Sequence, residues 1–222
     1  MTIHQQLCHT NYMRPHASSR FIGSSVIAGI LVSVILAATV DLLRPEYSLY
    51  RNLLDDALVG PLSFFMRAAA CVVAATFLTA LIGLIVNIPR SGFLIVSCVL
   101  MGVVVVSLFL SALFPLERLP GSHPTLTAII RFVSMARFYL VLIALLVTLP
   151  IAIKRDENWR LLSHATLFLG LVTLAIQVWF LLAPDSISGL VDRAGSLALL
   201  VWLFLVGMRL RRATPSVHGT AA

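Results

Sequence analysis

FIGSSVIAGILVSVILAATV, Phe21 to Val40, is a 20-residue stretch without a single charged side chain. A helix of about that length crosses the roughly 30 Å hydrocarbon core of a bilayer at 1.5 Å per residue. Outward from it the pattern repeats. Ala68 to Pro89, Ser91 to Leu116 and Leu161 to Pro184 are charge-free and long enough to span unaided. Phe138 to Ile153 and Ala194 to Met208 are shorter, and they span only if the charged residues at their starts enter the membrane. The runs predict an all-α, polytopic membrane bundle of six transmembrane helices.

Composition agrees. Of 222 residues, 59% are hydrophobic and only 11% charged, whereas soluble domains carry about 25% charged residues. This excludes an ordinary soluble globule, a disordered regulator and a nucleic-acid-binding domain. The net charge of +7 comes from 16 basic and 9 acidic residues placed around apolar blocks, which is what membrane orientation produces. The partner implied is the lipid bilayer, with no nucleic acid; nothing identifies a protein partner. Residues 1–20 read as an N-terminal tail, 21–212 as one transmembrane domain and 213–222 as a C-terminal tail. The first run exceeds a secretory h-region. No A-x-A-like cleavage site precedes Asp41, Ala37-Ala38-Thr39 being the nearest approach, so a retained helix is expected.

Sidedness follows from Lys and Arg. With the N-terminus cytoplasmic, Arg14, Arg20, Arg90, Lys154, Arg155, Arg160, Arg209, Arg211 and Arg212 lie inside. Arg44, Arg51, Arg67, Arg118, Arg131, Arg137 and Arg193 then lie outside, together with seven of the nine acids. Both termini are expected in the cytoplasm.

Prolines break the connections at Pro89, Pro115, Pro120, Pro124 and Pro184. In the longest connection, Tyr47, Tyr50, Leu53, Leu54, Ala57 and Leu58 recur at helical spacing, which predicts a short interfacial helix over Tyr47 to Leu58. Gly29, Ser33 and Ala37 stand four apart on the first helix, and Ala70 and Ala74 on the second, which allows close helix approach.

No motif for a cofactor or metal is present: no glycine-rich phosphate loop, H-E-x-x-H, C-x-x-C or G-x-S-x-G. Cys8, Cys71 and Cys98 are isolated thiols. His4, His9 and His16 follow no zinc spacing. The outer-level charges carry more information. Counting 20 residues back from Ile153 and from Met208 puts Arg137, Asp192 and Arg193 about 5 Å inside the hydrocarbon. Arg67 heads the second helix, Asp41 ends the first, and Gln177 is a turn from the outer end of the fifth. Charges at that depth either face a shared interior or snorkel to the headgroups. Asp41, Asp55, Asp56, Arg67, Arg131, Arg137, Gln177, Asp192 and Arg193 form the candidate ligand-binding cluster; no catalytic residue can be named.

Three stretches in this order, RPEYSLYRNLLDDALVGP (Arg44 to Pro61), ALFPLERLPGSHPTLT (Ala112 to Thr127) and LVDRAGSLALLVWLFLVGMRLRR (Leu190 to Arg212), resemble a family of six-helix prokaryotic membrane proteins catalogued as domain of unknown function 998. The shared elements are R-P-x-Y-S after the first helix, F-P-x-[DE] after the third and an Arg near the start of the last. Relatives often carry a His after the F-P loop, where this chain has Ile130 and Arg131. The resemblance implies a multi-pass protein of the prokaryotic inner membrane and no activity.

Two functions remain open. The preferred one is a non-enzymatic module, a small transporter or accessory subunit. Its outward-facing polar pocket, ringed by Arg67, Arg131, Arg137 and Arg193, would suit an anionic small molecule or lipid headgroup. The alternative is a membrane-embedded enzyme acting on lipid at the outer leaflet, with Asp55 or Asp56 as general base.

Overall fold

The computed structural model describes residues 14–44, 48–113, 139–154, 157–182, 184 and 186–212. Among these there is no strand. The α-helical segments are α1 (Arg14–Leu43), α2 (Ser63–Asn87), α3 (Gly92–Leu113), α4 (Tyr139–Lys154), α5 (Arg160–Leu182) and α6 (Ser188–Arg212). Five of them, all but α4, are long and apolar enough to cross a membrane. The described part of α4 is apolar but shorter, and the residues before it lie outside those described. The chain is a polytopic helical membrane bundle.

α1 reaches back to Arg14, into the stretch read as tail. Pro15 is tolerated there because the first-turn N–H groups have no intrahelical acceptor. α4 carries a π-turn over Ala144–Thr148, in which the Leu149 N–H bonds to the Ala144 carbonyl. The turn stands just before Pro150, whose missing N–H interrupts the regular ladder. At the start of α3, Ser91 caps the helix: the Leu94 N–H donates to its Oγ at 3.2 Å.

Helices adjacent in sequence are adjacent in space, and α6 closes the ring by packing on α1 as well as α5. Without a hydrophobic force between helices in lipid, association rests on close packing and interhelical hydrogen bonds, and both are present. α1 and α6 cross at Gly23 and Gly207. A Cβ on Gly23 would lie 2.7 Å from the Arg211 backbone nitrogen, and one on Gly207 would lie 3.2 Å from the Gly23 carbonyl oxygen. Gly29 faces Thr76 of α2 in the same manner, so the small-residue stripe of α1 does allow close approach. The polar pins are Ser19 Oγ to Asn87 Oδ1 (α1–α2, 2.9 Å), Ser97 Oγ to Thr148 Oγ1 (α3–α4, 2.7 Å), Ser163 Oγ to the Pro150 carbonyl (α5–α4, 2.9 Å) and Trp202 Nε1 to Thr166 Oγ1 (α6–α5, 3.1 Å). Trp202 is fully buried and stacks on Phe77 at 6.2 Å.

The predicted interfacial helix over Tyr47 to Leu58 is corrected. Tyr47 lies outside the described residues, residues 48–52 form a turn, and only Leu54–Leu58 is helical, as a 3-10 turn. Of its apolar side chains, Ala57 and Leu58 are buried and Leu53 and Leu54 partly so, while Tyr50 is exposed. A continuous helix is prevented because the carbonyls of Leu49, Tyr50, Arg51 and Asn52, which would accept its own N–H groups, bond instead to the start of α6.

Candidate functional site

Those carbonyls define the architecture of one end of the bundle. The Tyr50 carbonyl accepts the Gly189 N–H at 2.8 Å, and the Arg51 carbonyl accepts Ser188 Oγ at 3.1 Å. Arg193 Nη1 lies 3.0 Å from the Leu49 carbonyl, 2.9 Å from that of Asn52 and 3.1 Å from that of Gly189. Gly189 must be glycine, since a Cβ would run into the Asn52 carbonyl and stand 2.9 Å from that of Leu49. The second half of the loop is held from its other side. Arg44 Nη1 donates to the Val59 carbonyl and Arg67 Nε to the Leu58 carbonyl, each at 3.1 Å. At Gly60, with φ +87°, the chain takes a left-handed turn that glycine alone adopts at no cost.

Loop carbonyls that pack against the bundle and away from water need donors from the protein. Arginine supplies several from one side chain in a fixed fork. Arg44, Arg67 and Arg193, all at this end of the bundle, are bound to backbone in this way.

The carboxylates divide in the same way. Asp41, in the last turn of α1, pairs with Arg193 Nη2 at 3.1 Å. Asp192 Oδ2 accepts the Leu54 N–H at 2.9 Å, capping the 3-10 turn. Asp56 Oδ2 accepts the Leu53 N–H at 2.9 Å from an exposed position.

Beneath this end lies a cavity of about 420 Å³ between α1, α2, α3, α4 and α6. Its lining is mostly apolar, with Met66, Val73, Phe77, Val104, Leu108 and Val141 on the far walls. Ser33, Ser111 and Ser196 add hydroxyls, and Asp41, Asp55, Asp192 and Arg193 form an ionic rim at one end. From Ser33 to Asp41 on α1 the cavity runs roughly 12 Å along the bundle at 1.5 Å per residue. On α2 the lining runs from Met66 to Phe77, roughly 17 Å by the same count, so the cavity takes up about half of the hydrocarbon thickness at the rim end.

Of the nine residues expected to cluster, four meet at this rim: Asp41, Asp55, Asp192 and Arg193. Asp56 and Arg67 belong to the loop's hydrogen bonding and do not line the cavity. Gln177 is half-buried on α5 and is not part of the lining. Arg131 and Arg137 lie outside the described residues. Sequence reasoning missed Arg44 as a loop clamp, for which R-P at a helix end is the one signal, and it missed the apolar cavity. Among the described residues, no group of three or more His, Cys, Asp or Glu is placed to hold a metal ion.

Fold and site together define the class: a polytopic helical membrane protein with an apolar cavity in one half of its bundle. Residues 27–209 match the family described as Protein of unknown function (DUF998), and the chain belongs to that family. No curated protein and no solved structure matches it.

Proposed function

We propose that the protein is a non-enzymatic membrane module, a small transporter or accessory subunit, that takes the apolar part of a membrane amphiphile into its cavity. The observation that carries this reading is the pairing of apolar walls with an ionic rim at one end of a 420 Å³ space. That volume falls within the roughly 300–1,000 Å³ of small-molecule sites. A lipid places its chain and its headgroup in the same relation. A free anion fits less well. The described rim holds three carboxylates and one guanidinium, and that guanidinium is already engaged with Asp41 and three carbonyls. The enzymatic alternative loses Asp56 to the loop and retains Asp55 alone on the lining.

The rim is the outward end in this reading. The opposite end carries Arg14, Arg20, Arg90, Lys154, Arg160, Arg209, Arg211 and Arg212 against Glu157 among the described residues. The rim end has Arg44, Arg51, Arg67 and Arg193 balanced by Asp41, Asp55, Asp56 and Asp192. By the positive-inside rule the first end is cytoplasmic, in the cell membrane of a prokaryote.

The test is mass spectrometry of lipid retained by the purified, detergent-washed protein, compared with Ala70→Phe, which fills the cavity from α2. Stoichiometric lipid on the parent, lost in a stably folded Ala70→Phe, is expected. A parent that retains no lipid, or equal retention by both, defeats the reading.

A further inference from the structure

We infer that the cavity is entered sideways, from the lipid phase, through a portal between α1 and α6, and that its occupant is the acyl chain of a membrane lipid. The inference rests on the lipid-binding reading above and adds the route.

Three residues that line the cavity are also exposed on the outside of the bundle: Val34 (45%), Ala38 and Leu197 (60%). All three belong to α1 or α6. The cavity residues of α2, α3 and α4 are buried or only partly exposed, with Phe77, Val104 and Val141 at 3% or less. Among the described residues, the space therefore communicates with the surface along a single helix pair. The portal is apolar, so what passes through it is hydrocarbon rather than an ion.

The same two helices are constrained at both ends. At one end Gly23 and Gly207 bring the backbones together, with no room for a Cβ on Gly23 and only a tight fit for one on Gly207. At the other, Asp41 and Arg193 reach across from α1 to α6 at 3.1 Å, and the loop lies over that end, pinned to α6 through Gly189, Ser188 and Asp192. The aqueous end is latched, and the exposed wall is the lateral one. A chain entering there extends toward Phe77, against which Trp202 stacks. Its headgroup stays at the level of Asp41 and Asp192.

Trp202 supplies the readout. In a Trp159→Phe, Trp179→Phe background it is the only tryptophan, and it is fully buried. Delipidated full-length protein is mixed with detergent micelles carrying phosphatidylethanolamine with brominated acyl chains, and quenching of Trp202 is followed in time. Val34→Phe and Ala38→Phe narrow the portal. Ile35→Phe, on the exposed face of α1 away from the cavity, is the control.

The expected result is an about tenfold slower quench in Val34→Phe and Ala38→Phe, with the parent's final amplitude and an unaltered control. An unchanged rate at full amplitude overturns the portal and leaves lipid binding intact. Amplitude lost in both portal variants also overturns it, because the new rings then fill the site and not its entrance. No quenching in the parent removes the lipid-binding reading and the portal with it.

Discussion

Arg193 of α6 and Asp41 of α1 form a 3.1 Å ion pair whose side chains keep 17% and 22% of their exposure. Asp41 stands in the last turn of its helix, where the macrodipole disfavours a carboxylate; the guanidinium offsets that and joins two helices far apart in sequence. The same guanidinium holds the carbonyls of Leu49, Asn52 and Gly189. One side chain thus contributes both to helix pairing and to loop placement.

Arg193→Ala therefore removes both at once and strands a half-buried carboxylate. A loss on the order of 3 kcal/mol is expected. Arg193→Lys should recover only part of it, because an ammonium cannot reproduce the fork. Thermal unfolding of the solubilised variants measures this; a midpoint equal to the parent's for Arg193→Ala would show that the pair holds nothing.

Gly189→Ala tests the loop separately from the charge. Its Cβ collides with the Asn52 carbonyl, so the loop must lift from the start of α6. Hydrogen exchange should rise at the Leu54 and Gly189 amides, which bond to Asp192 and Tyr50. Helix amides on α3 should remain unchanged. Equal protection in the parent and in Gly189→Ala would mean that the loop tolerates the methyl group.

Two glycines on different helices should respond differently to the same substitution. Gly23→Ala forces the α1–α6 crossing apart and should lower the unfolding midpoint. Gly102→Ala, where a Cβ meets nothing within 4 Å, should be neutral or stabilising by up to about 1 kcal/mol through helix propensity. A Gly23→Ala protein as stable as Gly102→Ala is incompatible with the crossing.

Thr166→Val leaves the fully buried Trp202 indole N–H without its acceptor. The expected cost is about 1–2 kcal/mol, accompanied by a shift in Trp202 fluorescence. Thr166→Ser should retain both values, since the hydroxyl is preserved.

A reporter active only outside the cytoplasm, fused after Ala222, should give no signal, while one inserted after Gly60 should be active. The reverse pattern would invert the orientation and place the rim on the cytoplasmic side.

Residue type alone determined the class of this protein. Charge-free runs such as Phe21 to Val40 can be satisfied only as helices in lipid, because a helix meets its own backbone hydrogen bonds locally and needs no knowledge of its neighbours. The level of Asp41, Asp192 and Arg193 was legible for the same reason: position along a helix is counted from its ends. The partners of those charges were not legible. The spacing from Tyr47 to Leu58 favours a helix, yet carbonyls at 49–52 are claimed by Gly189, Ser188 and Arg193, more than a hundred residues away. Every residue carries the same carbonyl, so no side-chain pattern records which ones a distant arginine will take. The cavity is equally a product of tertiary structure: Ala37, Ala70 and Leu197 look like any other apolar residues, and only the way α1, α2 and α6 pack leaves space between them.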